Sequence, residues 1–260
     1  MQDLTIALIQ ADLEWENADA NLKRFDQRVD QVPEGTHLVV LPEMFATGFS
    51  MDPSPLAQSM DGSAVTWLKS TSQNKRFDIT GSLIIRENDR FFNRLVWAKP
   101  DGSIYGYDKK HLFRYVGEDK HYTPGDSKLT VDCQGWKIRP FICYDLRFPI
   151  WTRNLNNAYD MAIFVANWPI QRSMPWKALL TARAIENMSY VAAVNRVGVD
   201  GDGNRYSGDS CIVTPVGQRL VEVSHDEAVI VETLSYKSLV SHRKNFPAWM
   251  DADVNLVVDD

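Results

Sequence analysis

Short runs of Val, Ile and Leu alternate along the chain with longer amphipathic stretches, a rhythm that predicts strands interleaved with helices. The first apolar run, Leu4–Ile9, precedes a helical periodicity over Asn17–Val32 and a second apolar run at Leu38–Leu41, which reads as strand, helix, strand. The pattern continues with a helix over Ser63–Lys75 and strands over Ile79–Ile85 and Phe91–Ala98, with Pro100-Asp101-Gly102 suited to a hairpin turn. A further apolar strand runs into Cys143. Beyond it the spacing predicts a helix over Pro149–Asn157, a buried strand at Met161–Ala166, a helix over Pro175–Ser189 and a strand at Tyr190–Asn195. For the helix over Pro175–Ser189, Ser173 is the expected N-cap and Leu179, Ala182, Ile185 and Met188 are the expected buried face.

From Gly208 to Glu232 shorter alternating strands take over, with Thr214-Pro-Val-Gly217 as a tight connection and Ala228–Val231 as the return strand. The sheet is therefore expected to be mixed. Residues 236–260 hold a short helical stretch and Pro247-Ala-Trp249, too little for a second domain. They are expected to form an arm against the body or a neighbouring subunit. Without a repeat, a low-complexity tract or a marked linker, residues 1–260 read as one α/β domain.

Composition narrows the classes of function. The net charge is -6, and basic residues cluster only in short groups such as Lys109-Lys110 and Arg243-Lys244. Nucleic acid and anionic membrane call for denser positive charge, so neither is an expected partner, and a small molecule is. No apolar run approaches a membrane span, and no export signal is visible before Leu4. The three cysteines, odd in number and far apart, are expected to be free thiols in a cytoplasmic protein. The five histidines show no ligand spacing such as His-x-x-x-His, so neither a metal nor another cofactor is expected.

Three segments carry candidate chemistry, each at the end of an apolar run. In Arg139-Pro-Phe-Ile-Cys143-Tyr-Asp-Leu-Arg147-Phe-Pro a strand delivers a thiol into a helix-compatible segment. A helix N-terminus there would favour the thiolate, and the Tyr144 N–H would face a developing oxyanion. Taken alone, Cys143 fits a small core residue equally well. Leu38-Val-Val-Leu41-Pro42-Glu43-Met44-Phe45 delivers a carboxylate between apolar residues. Desolvation of such a group suits a general base, although a solvated Glu at a strand end has the same sequence. In Tyr107-Asp-Lys109-Lys110-His111-Leu112-Phe113 a lysine could stabilise an oxyanion. A charged surface turn is the other reading of that pair.

Leu41-Pro-Glu43, the Tyr107-x-Lys109-x-His-Leu run and Ile142-Cys143-Tyr-Asp-Leu-Arg147-Phe-Pro, in that order, resemble the three signature blocks of the nitrilase superfamily, the carbon–nitrogen hydrolases. Ile6-Ala-Leu-Ile-Gln10 and Ala182-Arg-Ala-Ile-Glu-Asn187 extend the likeness over essentially the whole chain. The resemblance implies an α-β-β-α sandwich of two mixed sheets covered by helices, a homodimer, and a thioester mechanism with Glu43 as base, Lys109 as oxyanion donor and Cys143 as nucleophile. It places the catalytic lysine two residues before the His, hence Lys109 and not Lys110. It also implies a supporting acid a short interval before Pro124-Gly125, which points to Glu118 with Asp119 competing.

Within the superfamily, Pro42-Glu-Met-Phe-Ala-Thr-Gly-Phe49 and Val165-Ala-Asn167-Trp168-Pro169, with Arg172 and Trp176 beyond, look most like the ω-amidases. These hydrolyse 2-oxoglutaramate and 2-oxosuccinamate. The likeness implies Asn167 and Trp168 as pocket residues, Met44, Phe45 and Trp168 as an apolar slot for a short acyl chain, and Arg172 as a candidate partner for the far carboxylate. Another carbon–nitrogen hydrolase, acting on an N-carbamoyl compound or a different small amide, is the alternative, and a non-catalytic binding protein on the same fold a more remote one.

Overall fold

The computed structural model describes residues 1–253. Among them thirteen strands form two sheets. They are β1 (Leu4–Gln10), β2 (Leu38–Val40), β3 (Asp78–Glu87), β4 (Arg90–Ala98), β5 (Ile104–Asp108), β6 (Val131–Cys133), β7 (Trp136–Ile142), β8 (Met161–Ala166), β9 (Tyr190–Asn195), β10 (Val197–Val199), β11 (Arg205–Val213), β12 (Arg219–Ser224) and β13 (Ala228–Leu234). The helices are α1 (Ala18–Val29), α2 (Pro53–Leu56), α3 (Ser63–Lys75), α4 (Glu118–His121), α5 (Pro149–Thr152), α6 (Ser173–Glu186) and α7 (Tyr236–Asn245).

One sheet runs β13-β1-β2-β3-β4-β5 and the other β10-β11-β9-β8-β7-β6, with β12 also paired to β11. Both are mixed: β1, β2 and β3 are parallel neighbours, as are β7, β8 and β9, and antiparallel strands complete each sheet. The strand alternation explains how they stack. Leu4, Ile6 and Leu8 of β1 enter one core with Phe141 and Phe164 of the facing sheet, while Ala7 and Ile9 point the other way onto Phe25 and Val29 of α1. Successive side chains of a strand serve opposite faces, so a nearly continuous apolar run marks burial on both. With α1 and α3 outside one sheet and α6 and α7 outside the other, four layers result in the order α-β-β-α.

Three local expectations change. The segment after the nucleophile turn is helical only over Pro149–Thr152, followed by a 3-10 turn at Leu155–Asn157 in which Asn156 has φ 54°. Ser173 does not cap α6, which begins at that residue; its hydroxyl donates to Asp209 at 2.7 Å instead. The buried residues of α6 are Trp176, Leu180, Arg183 and Ala184; of the expected face, Met188 is buried just past the helix, Leu179 and Ala182 are partly buried, and Ile185 is half exposed. Trp176 and Arg183 lay on that face by spacing, but an arginine is not ordinarily counted as core.

The tail packs on the body through α7. Leu239 is buried, and Arg243 donates to Asp160, to the Met188 carbonyl and to the Tyr159 carbonyl. Residues 254–260 of the expected arm lie outside the described residues. No helix among the described residues is long and apolar enough to cross a membrane.

Candidate active site

The site forms where parallel strands end together. Glu43 follows β2, Lys109 follows β5, Cys143 follows β7 and Asn167 follows β8. Pockets outside the carboxyl ends of parallel strands are a general feature of α/β folds, because side chains from several strand ends converge there.

Glu43 has no solvent exposure. Its segment passes so close to β3 that a Cβ on Gly81 would lie 2.8 Å from atoms of Leu41 and Phe45. Met44, next in sequence, has φ 44° and donates its N–H to the Ser82 hydroxyl at 2.8 Å. A positive φ on a residue that is not glycine is costly and persists where surrounding bonds hold it. Glu43 Oε1 accepts from Lys109 Nζ at 2.9 Å and Asn93 Nδ2 at 2.8 Å, and Oε2 accepts from the Asn167 N–H at 2.8 Å.

Lys109 is equally buried and also donates to both oxygens of Glu118, at 3.0 and 2.9 Å. Burial opposes its charge, but the carboxylates of Glu118 and Glu43 outweigh that and hold its pKa above the usual lysine value. Its backbone is clamped by Gly125, whose N–H donates to the Lys109 carbonyl at 2.9 Å and where a Cβ would lie 2.3 Å from the Asp108 oxygen. That close approach is a structural reason for the Pro124-Gly125 pair. Lys110 turns away, its Nζ 5.3 Å from the centre of the Trp151 ring.

Glu118 and not Asp119 reaches Lys109. Glu118 is fully buried and also accepts the Phe113 N–H at 2.5 Å, whereas Asp119 lies 3.8 Å from the exposed Arg114. Burial raises the Glu118 pKa, with Lys109 pulling it down and the nearby Glu43 adding to the rise.

Cys143 stands at the corner between β7 and a 3-10 turn over Cys143–Arg147, with φ 43°. The expectation that a helix N-terminus lowers its pKa is not met. Burial and the adjacent Glu43 carboxylate push the thiol well above its ordinary range, and Lys109 opposes them. A short turn in a dry site offers too little dipole to offset that desolvation. The Tyr144 N–H lies in the first turn, where it has no intrahelical acceptor.

Cys143 and Lys109 open into a cavity of about 390 Å³. Phe49, Phe113, Tyr144, Trp168 and Tyr206 supply much of its wall, with Asn167, Arg147 and Arg172. The guanidinium of Arg147 lies 5.0 Å from the Trp168 ring centre and that of Arg172 5.3 Å from Phe113. No Asp or Glu lines the cavity among the described residues. Tyr144, Asn167, Trp168 and Arg172 border the cavity. Met44 and Phe45 do not: Met44 packs with Ile84, Leu112 and Tyr122, and Phe45 with Phe25 and Trp67. The sharp turn at Met44 sends both into the core and leaves Phe49 as the aromatic facing Lys109, at 4.9 Å.

Sequence reasoning missed Asn93, which donates to Glu43 and, at 3.4 Å, to Glu118. A signal was present. Asn93 shares strand parity with Leu95 and Trp97, both fully buried, so it is a polar residue on an apolar stripe. Arg147, Phe49 and Tyr206 were also missed as wall residues, since nothing local in sequence says which loop residues will converge.

Residues 5–244 match the family described as "Carbon-nitrogen hydrolase". The chain is 43% identical to "Omega-amidase YafV" from Escherichia coli strain K12, over 97% of this chain and 98% of that protein. It is 32% identical to "2-oxoglutaramate amidase" from Bacillus subtilis strain 168, over 95% and 96%. The crystal structure of XC1258 from Xanthomonas campestris, described as a CN-hydrolase superfamily protein with an arsenic adduct in its active site, superposes with a TM-score of 0.97 at 42% identity, covering 99% of this chain and 100% of that one. A match of this extent, on a four-layer sandwich with a buried thiol, lysine and glutamate at its strand ends, means that the chain belongs to the carbon–nitrogen hydrolase family.

Proposed function

We propose that this protein is an ω-amidase, hydrolysing the terminal amide of a short 2-oxo dicarboxylic acid monoamide such as 2-oxoglutaramate or 2-oxosuccinamate. The observation that carries the reading is the cavity itself: Lys109 and Cys143 line it, Glu43 is bonded to Lys109 behind that lining, and two guanidiniums stand in its wall with no lining carboxylate. In a chain of net charge -6, that wall favours an anionic substrate. Its amide would reach Cys143 while Arg147 and Arg172 hold the distant carboxylate. The names of the relatives from Escherichia coli and Bacillus subtilis support the same class.

In this reading Glu43 takes the Cys143 proton as sulfur attacks the amide carbon. The oxyanion that forms is stabilised by Lys109 and the Tyr144 N–H in a site where little water screens them. Glu43 then gives the proton to the leaving nitrogen, the C–N bond breaks, and ammonia departs from a thioester on Cys143. Water, deprotonated by Glu43, attacks the thioester; the C–S bond breaks and the sulfur recovers a proton. Glu118 takes no proton in this scheme and instead holds Lys109 in line. The reading includes a cytoplasmic homodimer. Free cysteines at 133, 143 and 211 support the compartment, and exposed Ile150 and Met174, on helices beside the nucleophile turn, support a subunit contact. Sedimentation velocity reads the latter directly.

Ammonia release from 2-oxoglutaramate, glutamine and an N-carbamoyl amino acid, with Cys143→Ala as control, tests the substrate class. The expected order places 2-oxoglutaramate first, because the ammonium of glutamine would face two guanidiniums without a carboxylate partner. Preference for the N-carbamoyl compound, or no turnover of any, contradicts it.

A further inference from the structure

The two signature segments contain residues that the reaction scheme leaves idle: Tyr107 and His111 around the lysine, and Asp145 beyond the cysteine. They meet each other. Asp145 has no solvent exposure. Its Oδ2 accepts from the Tyr107 hydroxyl at 2.7 Å and the Ile142 N–H at 3.1 Å. Its Oδ1 accepts from the His111 N–H at 3.0 Å and lies 2.8 Å from His111 Nδ1. A carboxylate only accepts, which makes Nδ1 the protonated ring nitrogen. The His111 ring also stacks on Phe148 with centroids 3.7 Å apart, and the Trp151 N–H donates to the Tyr107 oxygen at 3.0 Å.

Tyr107 and His111 bracket Lys109 by two residues on each side, and Ile142 and Asp145 bracket Cys143. Lys109 follows the edge strand β5 of one sheet and Cys143 follows β7 of the other. β5 and β7 belong to different sheets and share no backbone ladder, so the position of their two ends relative to each other depends on contacts made by side chains. We propose that Asp145 is the positioning residue that sets Lys109 against Cys143, its buried carboxylate bolting the end of one sheet to the nucleophile turn of the other. Oxyanion stabilisation depends on donors already in place when charge develops, and a shell that holds them is what makes them so. This inference rests on the reading of Lys109 and Cys143 given above, and its deciding readout is alkylation of Cys143, with kcat measured separately, so that the two can fail separately.

The test is a double-mutant cycle read by alkylation of Cys143 with iodoacetamide, each variant first checked for a cooperative thermal transition. Asp145→Asn keeps the shape but confronts one or more donors with a donor. It is expected to slow alkylation about 10-fold and to lower kcat about 100-fold, the scale of a 1 Å misplacement. In the Lys109→Ala background the same substitution is expected to slow alkylation less than about 2-fold, since the partner it positions is gone. If Asp145→Asn does not fold, Tyr107→Phe removes one of the bonds and carries the same cycle, with an expected kcat loss of about 5-fold. A folded Asp145→Asn (or Tyr107→Phe, if that variant is used) with wild-type alkylation, or the same loss in both backgrounds, overturns the proposal. Alkylation that behaves as expected while 2-oxoglutaramate is not hydrolysed sustains Asp145 as positioning residue and removes only the substrate.

Discussion

The buried carboxylate cluster around Asp209 and the one at the strand ends handle charge in opposite ways. Asp209 accepts from the hydroxyls of Ser207, Ser173 and Ser224 at 2.6, 2.7 and 2.5 Å and pairs with Lys177 at 3.0 Å. Burial pushes its pKa up, yet those hydroxyls and Lys177 hold it down at about 2. At the strand ends, Glu43 and Glu118 share Lys109, with the Cys143 thiol beside them. There burial dominates, and the pKa values of Glu118 and Cys143 both rise. The first cluster fixes a charge and leaves it nothing to do; the second keeps a proton on sulfur beside a base and a cation, ready to move when substrate arrives. Groups of this second kind, perturbed by burial together with specific charged partners in a cleft, are how functional sites differ from structural ion pairs.

Removing the cation from each cluster separates them most widely. Lys109→Ala is expected to lower kcat by about 10²–10³, the cost of an oxyanion donor. Lys177→Ala is expected to change it less than about 2-fold, as for a half-exposed lysine away from the chemistry. Comparable losses from both would erase the distinction.

The protonation claim is next. Because the Cys143 pKa lies well above the ordinary thiol value, the thiol is neutral at pH 7 and its thiolate fraction grows as pH rises. Alkylation of Cys143, followed by peptide mass, is therefore expected to climb about 10-fold per unit up to pH 9 and beyond, where a free thiol of pKa ~8.5 levels off. A rate that is flat from pH 6 upward would mean a resting thiolate and would remove the difference between the two clusters.

A smaller effect is expected in the cavity wall. Arg147→Gln and Arg172→Gln are each expected to raise KM for 2-oxoglutaramate about 10-fold with little change in kcat, the scale of one charge-assisted hydrogen bond. An equal fall in kcat instead would place them in the chemistry and not in binding.

Asp209→Asn gives the smallest kinetic effect, less than about 2-fold, but costs about 1–3 kcal/mol of stability at neutral pH from donors left unmatched. The sign with pH follows from the depressed pKa: Asp209 stabilises fully above the unfolded value of ~3.9, and that contribution fades as pH falls toward 2. Thermal melts of variant and parent should thus differ most at pH 7 and converge near pH 2.

The sequence foretold much of this contrast and little of its geometry. Strand periodicity located β1, β3, β4, β8 and β9 within a few residues because those runs are buried on at least one face. Glu43, Lys109, Cys143 and Glu118 stood out because each belongs to a short motif. What stayed hidden depends on tertiary convergence. The positive φ at Met44 reverses the side chains expected to form the acyl slot, Asn93 is bonded from a strand with no motif, and Asp145 gains its partners only when two sheets meet. The Cys143 pKa was misjudged for the same reason, since burial by distant segments outweighs the local turn.

The central claim is that Cys143 carries the acyl group. Acid quench of the protein during turnover of 2-oxoglutaramate, followed by peptide mass analysis, measures this directly. The account predicts an added 2-oxoglutaryl mass on the peptide containing Cys143, absent in Cys143→Ala, which should also lose at least about 10⁴ of kcat. An adduct on Cys133 or Cys211, or undiminished turnover by Cys143→Ala, would contradict it.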